Sequence, residues 1–361
     1  MVSALLIYPW IYDFAAYDLW LKPLGLLYIA SILRNLGIEL NFIDCLDRYH
    51  DSFYPSFVKS SSDDKYGCGK YYYEEVEKPQ LLKKFPRRYK RYGLPVRVFI
   101  EQIRKLPKPD IILVSSGMTY WYPGAFEAIR ILKERFSGVP IILGGTYATL
   151  CYQHARENSG VDYVFDGGNL RRLIRLVEEI TGQRLSREEM CFDFSHYPYP
   201  AYDLYRKNEY VAIRTSVGCP FRCTYCAANL LQEKFEQRKP ERVVDEIEYF
   251  NRSLGVKNFV FYDDSLLFDA EKHFRKIFDR ISELRLDCFF HTPNGLQARF
   301  VNYDVARLMH RVGFISPRLS LETVNEKRQA ASGGKVTAGE VERAFRYLEE
   351  AGYSPDRVGI Y

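Results

Sequence analysis

Short apolar runs alternate with amphipathic stretches along the first half of the chain. The runs are typical of buried strands, and the stretches repeat with helical periodicity. The predicted strands are 3–8, 39–44, 110–116, 140–143 and 161–165, and the predicted helices are 24–36, 124–136 and 170–180. Strands separated by helices predict an α/β fold, an open parallel sheet of the Rossmann or flavodoxin type with helices on both faces.

The alternation breaks between residues 45 and 109, where only 96–105 has helical periodicity. A long insertion without regular structure in a compact domain is generally functional or disordered. Residues 52–108 hold 14 Lys and Arg against 6 Asp and Glu, a surplus of +8 (14 − 6). We expect a solvated basic surface there. Closure over an anionic ligand and binding of nucleic acid are the alternatives, and nucleic acid is not favoured.

A second alternation of strands and helices begins near residue 210. The predicted strands are 210–216, 257–263, 286–291, 314–321 and 357–361, and the predicted helices are 240–253, 270–284, 303–312 and 338–351. This order is typical of a βα-barrel, and the chain ends inside the fifth strand. We therefore expect a partial, TIM-like barrel.

These patterns predict two domains. Residues 1–182 form the α/β domain with the basic insertion 45–109, residues 183–208 form a linker on the surface, and residues 209–361 form a barrel truncated in its fifth strand. The linker is proposed because prolines lie among aromatic residues there.

Composition indicates a soluble protein with a sizeable core. Of 361 residues, 47% are hydrophobic and 27% are charged, with a net charge of +5. No run approaches the roughly 18 apolar residues of a membrane span. The first residues lack the basic region and cleavage site of a signal peptide. We expect a cytoplasmic protein that makes no membrane contact.

Three cysteines are clustered directly after the first predicted barrel strand. Cys219, Cys223 and Cys226 have the spacing Cys-x-x-x-Cys-x-x-Cys. Thiolates on one loop can surround a metal centre and leave one coordination position open for chemistry. A structural zinc site needs a fourth ligand, but Cys288 and His291 lie three apart on a strand and point to opposite faces. Sulfur-only ligation favours an iron–sulfur cluster over zinc.

The motif Cys-x-x-x-Cys-x-aromatic-Cys resembles that of the radical S-adenosylmethionine (SAM) superfamily. The resemblance implies that Cys219, Cys223 and Cys226 hold a [4Fe-4S] cluster whose fourth iron is chelated by SAM. It implies reductive cleavage of SAM to a 5′-deoxyadenosyl radical, with an electron donor such as a flavodoxin or ferredoxin as partner. Tyr225 is then the aromatic residue that contacts adenine.

Acidic residues at two further strand ends fit the same resemblance. Asp263 and Asp264 end the second barrel strand, where the family binds the SAM amino group, and an ammonium needs acceptors. Glu322 follows the fourth strand, where a polar residue contacts the ribose hydroxyls. The aspartates could equally cap the following helix. No catalytic acid or base can be named from the sequence.

The first domain carries hydroxyl and glycine residues at the ends of two strands. Ser115, Ser116 and Gly117 end one strand, and Gly144, Gly145 and Thr146 end the next, with 26 residues between Gly117 and Gly144. With the domain order, this resembles the cobalamin-binding subfamily of radical SAM enzymes. The resemblance implies that these six residues bind cobalamin.

One element of the cobalamin pattern is missing. No Asp-x-His-x-x-Gly is present, and Asp47 and His50 have the wrong spacing and no following glycine. We therefore expect no histidine ligand on the lower face of cobalt.

Three functions remain open at this point. The first is a cobalamin-dependent radical SAM enzyme that methylates an unactivated carbon, where cofactors carry the chemistry. The second is a radical SAM enzyme without bound cobalamin, which abstracts hydrogen or rearranges its substrate. The third is a zinc-stabilised RNA-binding protein. The substrate is not indicated by the sequence.

Overall fold

The computed structural model describes residues 2–51, 64–185 and 193–361. The described residues of Met1–Phe192 and His196–Lys207 form one compact unit, and Asp193–Ser195 with Asn208–Tyr361 form a second. Parts of the predicted basic insertion (52–63) and of the predicted linker (186–192) lie outside the described residues.

The first unit contains eight strands and six helices among its described residues. The strands are β1 (Ser3–Tyr8), β2 (Ile11–Asp13), β3 (Glu39–Asp44), β4 (Tyr73–Glu75), β5 (Lys90–Tyr92), β6 (Ile111–Ser116), β7 (Ile141–Gly145) and β8 (Tyr163–Val164). The helices are α1 (Leu24–Asn35), α2 (Val96–Lys105), α3 (Tyr122–Arg135), α4 (Thr146–Leu150), α5 (Tyr152–Asn158) and α6 (Leu170–Thr181).

Five strands of the first unit form a parallel sheet in the order β3-β1-β6-β7-β8. Alternate side chains of β1 and β6 pack with α2 and α3 on one face and with α1 and α6 on the other. Strands that are buried on both faces read as continuous apolar runs, which is why the sequence reveals them. The predicted α/β sheet is confirmed.

Where it is described, the basic insertion contains the predicted helix 96–105, which is α2, and two short strands that the sequence did not predict. Strands β4 and β5 pair with β2 in a small antiparallel sheet. Arg91 on β5 forms ion pairs with Glu74 and with Glu127 of α3, the latter at 3.2 Å. Strands of three residues among charged side chains are too short to show a period of two. Several of the basic side chains are thus matched by carboxylates.

The predicted linker is partly an integral element of the first unit. Within 196–207, Ala201 and Tyr202 are buried. The Ser31 hydroxyl donates to the carbonyl of Tyr199 at 2.6 Å, and the Tyr205 hydroxyl donates to the buried carboxylate of Asp44. These contacts fasten the segment to α1 and to the end of β3.

The second unit contains eight further strands and six further helices. The strands are β9 (Tyr210–Ile213), β10 (Ser216–Val217), β11 (Glu236–Gln237), β12 (Asn258–Phe261), β13 (Phe289–His291), β14 (Leu296–Gln297), β15 (Arg318–Ser320) and β16 (Gly359–Ile360). The helices are α7 (Ala228–Leu231), α8 (Pro240–Leu254), α9 (Phe274–Leu284), α10 (Tyr303–Val312), α11 (Glu326–Ala331) and α12 (Ala338–Glu350).

The main strands of the second unit are parallel, as the barrel pattern predicts. They form the sheets β9-β12-β13 and β14-β15-β16, and an isolated parallel bridge pairs Phe290 of β13 with Phe314, which precedes β15. The predicted strand 314–321 is reduced to this bridge and β15, because Pro317 lies between them and has no amide hydrogen to donate.

Aromatic side chains fix the helix-facing side of these strands. Phe261, Phe290 and Phe314 pack against each other, with ring centroids 5.3–5.8 Å apart, and against Phe278 of α9. Because side chains alternate along a strand, His291 lies on the opposite face from Phe290. This packing sets the parallel strands whose carboxyl ends carry the candidate site.

Candidate functional site

The three clustered cysteines lie on one loop, residues 218–227, which we call the cysteine loop. It begins after β10, which pairs with β11 in a two-stranded ribbon that closes the loop at its base. Gly218 starts the loop with a φ of +73°, and a Cβ there would lie 2.5 Å from the carbonyl oxygen of Lys234. A glycine is therefore required where the loop leaves the ribbon.

The three thiols differ in exposure. Cys223 is buried, Cys219 is partly buried and Cys226 is exposed. Burial raises the pKa of the Cys219 thiol, and nearby Lys335 opposes that rise. Among the described residues, no three or more His, Cys, Asp or Glu side chains are gathered as a metal site. The fold therefore puts the three candidate ligands on one loop without drawing their sulfurs into a single coordination sphere.

Cys288 and His291, considered as partners for zinc, have other surroundings. Cys288 is a buried free thiol just before β13. His291 is buried and hydrogen-bonds Asn258 at 3.1 Å. Burial, together with the charge of Arg318, lowers the pKa of His291 to about 3. The imidazole is therefore neutral at physiological pH, and its hydrogen bond joins β13 to β12.

Asp263 lies at the carboxyl end of β12 and is buried. Its carboxylate accepts the Thr215 amide at 3.1 Å, the Thr215 hydroxyl at 2.7 Å and the Ser216 hydroxyl at 2.6 Å. Helix α9 begins at Phe274 with His273 as its N-cap, so the helix-cap reading of Asp263 was wrong. Asp263 instead fixes the backbone that leads into the cysteine loop.

Asp264 is the neighbouring carboxylate, and its side chain is exposed. The surrounding protein partly desolvates it and raises its pKa, while the positive charges of Arg214 and Lys335 oppose the rise. The Gln297 side-chain amide donates to the Asp264 carbonyl at 2.7 Å and fixes the backbone there. Asp264 therefore offers an accessible acceptor beside the cysteine loop.

Glu322 and Tyr225 lie close together at the same end of the barrel. Glu322 follows β15 with a φ of +66°, a left-handed conformation that is strained for a residue with a side chain. Tyr225 is 52% exposed, and partial burial with Cys223 and Glu322 as neighbours raises the pKa of its hydroxyl. Lys335 lies 3.5 Å from the Glu322 carboxylate. With this backbone conformation, the Glu322 carboxylate lies next to Tyr225 of the cysteine loop.

Two supporting features of this site escape sequence reasoning. Residues 332–335, which we call the glycine loop, lie on the cysteine loop: a Cβ on Gly333 would be 3.3 Å from the Cys223 Cα. The second is a buried ion pair between Arg238 and Glu246, and Arg238 also donates to the carbonyl of Arg214 at 2.9 Å. The Gly-Gly-Lys sequence could have marked the loop, but nothing in the sequence pairs Arg238 with Glu246.

In the first unit, the predicted cobalamin residues meet at the carboxyl ends of β6 and β7. The strand register places Ser115 opposite Gly144 and Ser116 opposite Gly145. Gly145 has a φ of +91°, and a Cβ there would lie 2.4 Å from the Ser116 carbonyl oxygen. The close approach of the two strand ends therefore requires glycine at Gly145.

The six predicted residues are not equally available to a ligand. Ser116 is buried and its hydroxyl donates to the Met118 carbonyl at 3.3 Å, while Gly117 lies against the Tyr8 hydroxyl. Within the part of the chain that the structure describes, a Cβ on Gly144 would meet only the Phe165 carbonyl oxygen, 4.0 Å away. Of the six residues only Ser116 is buried, while Ser115, Gly117, Gly144, Gly145 and Thr146 are partly exposed.

His50 is not arranged as a ligand presented by the sheet. Its imidazole makes a close contact with the Gln102 side chain of α2. Burial lowers the pKa of His50, and the charge of Asp47 opposes this shift. His50 therefore contacts α2, a helix of the insertion itself.

Comparison with family models separates the two halves of the chain. Residues 213–361 match the radical SAM superfamily, and residues 92–171 match the B12 binding domain. The first range contains all three clustered cysteines, and the second contains the strand ends of β6 and β7.

Curated relatives are distant and longer than this chain. An uncharacterized methyltransferase of Pyrococcus horikoshii is 24% identical over 68% of this chain and 59% of its own length. Cytidylyl-2-hydroxyethylphosphonate methyltransferase of Streptomyces wedmorensis is 20% identical over 83% of this chain and 61% of its own length. The chain spans about three fifths of the length of these relatives.

Solved structures share the fold across the whole chain. The radical SAM methyltransferase TsrM from Kitasatospora setae matches with a TM-score of 0.70 and 14% identity, covering 100% of this chain and 67% of TsrM. The cobalamin-dependent radical SAM enzyme OxsB matches with a TM-score of 0.63 and 13% identity, covering 100% of this chain and 49% of OxsB.

Among the described residues, no helix is long and apolar enough to cross a membrane. Each of the two family matches falls within one of the two units of the fold. The chain therefore carries a region that matches the B12 binding domain, followed by a region that matches the radical SAM superfamily.

Proposed function

We propose that the protein is a cobalamin-dependent radical SAM enzyme that methylates an unactivated carbon. One observation carries the proposal: the three-cysteine loop follows the first strand of the radical SAM domain in a chain that also has a B12-binding domain. Such a carbon is neither acidic nor nucleophilic, so its methylation needs a radical, which cofactors supply.

Cys219, Cys223 and Cys226 are the proposed ligands of a [4Fe-4S] cluster. The donor set fits the cluster in kind, because three thiols lie on one irregular loop and leave one iron for another ligand. When bound, the reduced cluster supplies an electron for cleavage of SAM, and cobalamin supplies a carrier for a methyl group. Ligation requires the cysteine loop to bring its three sulfurs together, with Gly218 and the ribbon β10–β11 as a fixed base.

The carboxylates around the cysteine loop have different roles in the proposed SAM site. Asp263 fixes the start of the loop, because its oxygens accept hydrogen bonds from Thr215 and Ser216. Asp264 is accessible and accepts the SAM ammonium. Glu322 accepts the ribose hydroxyls, and the exposed ring of Tyr225 contacts adenine.

The edge of β6 and β7 is the proposed cobalamin site of the first unit. Ser115, Gly144 and Thr146 face the cofactor, since they are partly exposed and Gly144 leaves space for close approach. Gly117, Gly145 and Ser116 shape the edge by packing against the backbone and Tyr8. No histidine of the Asp-x-His-x-x-Gly type lies in the chain to bind cobalt from below.

A separate reductant is part of the proposal. A low-potential one-electron carrier such as a flavodoxin or ferredoxin would reduce the cluster, and the protein would work in the cytoplasm with it. The substrate itself is not proposed. Nucleic acid is not favoured, because Arg88 and Arg91 of the basic insertion already pair with Glu75 and Glu74.

Anaerobic reconstitution with iron and sulfide tests the proposed cluster. We expect about four iron and four sulfide per chain, with loss of the cluster when Cys219, Cys223 or Cys226 is replaced by serine. Cys151→Ser, which removes a partly exposed thiol of the first unit, is the matched control and should keep the cluster. Zinc without acid-labile sulfide would contradict the proposal and favour the zinc-stabilised RNA-binding alternative.

A further inference from the structure

Arg299 joins three segments at the carboxyl ends of the barrel strands. It lies in a short 3-10 turn after β14, Ala298–Phe300, and its side chain is 29% exposed. Its Nη2 donates to the Gly334 carbonyl at 2.6 Å and lies 3.5 Å from the Glu340 carboxylate. Its guanidinium carbon lies 5.8 Å from the centre of the Phe221 ring, which belongs to the cysteine loop.

The glycine loop held by Arg299 rests directly on the cysteine loop. The Thr224 amide donates to the Ser332 carbonyl at 3.2 Å. Gly333 has a φ of +110°, and a Cβ there would lie 3.4 Å from the Arg222 carbonyl oxygen and 3.3 Å from the Cys223 Cα. Movement of the glycine loop therefore changes the support beneath the backbone of Cys223.

The anchor for Arg299 is itself fixed by a helix. Glu340 and Thr337 form a capping box at the start of α12, in which the Thr337 amide donates to the Glu340 carboxylate at 2.8 Å. The same carboxylate faces Arg299. Helix α12 thus holds the carboxylate, the carboxylate holds the guanidinium, and the guanidinium holds the glycine loop.

We infer that Arg299 is a positioning residue that clamps the glycine loop onto the cysteine loop. The clamp also sets Lys335, which follows Gly334, beside the Glu322 carboxylate. An arginine suits the task because one planar guanidinium serves a carbonyl, a carboxylate and an aromatic face together, which a lysine ammonium does not. The consequence for the cluster and for SAM rests on the proposed function, whereas the clamp itself does not.

Hydrogen exchange with mass spectrometry on the full chain tests the clamp. In Arg299→Ala we expect exchange in peptides covering 219–226 and 332–336 to be about tenfold faster or more, because a charge-assisted hydrogen bond is lost. Arg299→Lys should restore part of the protection. Arg311→Ala, which removes an exposed arginine paired with Asp279 at 2.8 Å, should leave both peptides unchanged.

Unchanged exchange in a folded Arg299→Ala variant would overturn the clamp. Circular dichroism checks folding, and Arg299→Gln replaces the alanine variant if that one does not fold. After reconstitution, electron paramagnetic resonance gives a second readout: addition of SAM should change the reduced-cluster signal of the wild type and change it less in Arg299→Ala. A wild type that forms no cluster would contradict the proposed function, while the exchange result would still decide on the clamp.

Discussion

The buried carboxylate of Asp263 holds the end of β9 from 48 positions further along the chain. It accepts bonds from one amide and two hydroxyls, and at least one of these bonds is short. Hydrogen bonds to a charged acceptor are stronger than neutral ones, and buried donors that lose their acceptor keep the cost of desolvation. The main role of Asp263 is therefore to stabilise the backbone before the cysteine loop, and direct binding of SAM is secondary.

Asp263→Ala should lower the free energy of unfolding by about 2–4 kcal/mol, because Thr215 and Ser216 would be left with unsatisfied buried donors. Urea unfolding measures the change. Asp264→Ala is the matched control, since that side chain is exposed and its removal should alter stability by less than about 0.5 kcal/mol. Equal losses in the two variants would contradict the supporting role of Asp263.

Asp44 at the end of β3 gives a pH-dependent contribution in the first unit. Burial raises its pKa to about 7, although Lys22 and the hydrogen bond from Tyr205 oppose the rise. The folded protein therefore keeps this proton at pH values where the unfolded chain has released it. Between about pH 4 and pH 7 the contribution to stability falls as pH rises, and above pH 7 the loss is complete.

Asp44→Asn should remove this pH dependence. In the wild type it amounts to a change of up to about 4 kcal/mol in the free energy of unfolding between about pH 4 and pH 7. The stability of the variant, compared with that of the wild type at the same pH, should therefore be higher at pH 8 than at pH 5. Unfolding in urea at several pH values between 4.5 and 8 gives the comparison. A stability difference between the two proteins that does not vary with pH would show that Asp44 ionises normally.

At the scale of elements, the carboxyl ends of β6 and β7 approach so closely that a side chain does not fit between them. Gly145 has a positive φ, and a Cβ added to it would lie 2.4 Å from a carbonyl oxygen. Gly138, before β7, has a φ of +76°, but no atom of the described residues lies within 4 Å of such a Cβ. Comparing a substitution at each of the two glycines therefore separates the free-energy cost of the backbone conformation from that of the steric clash.

Gly145→Ala should destabilise the protein by about 3 kcal/mol or more, since about 1–2 kcal/mol of backbone strain adds to a steric clash of about 1–3 kcal/mol. Gly138→Ala should cost only the strain. Thermal and urea unfolding of both variants give the difference. If the two variants lost equal stability, the tight contact between the strand ends would not exist in solution.

The elements also show what a single sequence can reveal. Strands β6 and β7 were predicted to within one or two residues, because strands buried on both faces read as apolar runs. Strands β10 and β11 have two residues each and form the base of the cysteine loop; the predicted strand 210–216 ran β9 together with the first residue of β10, and β11 was missed. Local pattern carries no information about pairing of such short segments.

The candidate site was predictable where chemistry is local and unpredictable where it depends on contacts between distant segments. The cysteine spacing names Cys219, Cys223 and Cys226 without a structure. Nothing in the sequence indicates that Gly333 would rest on Cys223, more than a hundred residues earlier, or that Arg299 would hold it there. Such roles follow from the three-dimensional fold alone.

At the scale of the whole molecule, the proposed function depends on two domains and the cofactors proposed for them. The radical SAM match and the cysteine loop concern the second unit, and the B12-binding match and the glycine edge concern the first. A radical SAM enzyme without cobalamin would use the second unit in the same way. The first unit therefore distinguishes the proposed methyl transfer from hydrogen abstraction or rearrangement.

The most direct test is the cobalamin stoichiometry of the full chain, measured from its visible spectrum after anaerobic reconstitution and removal of free cofactor. For a cobalamin-dependent enzyme we expect about one cobalamin per chain, bound without histidine below cobalt, with a spectrum unchanged by His50→Ala. Retention of cobalamin by Gly138→Ala and its loss in Gly144→Arg would locate the cofactor at the edge of β6 and β7. A chain with an intact cluster and essentially no cobalamin would contradict the account.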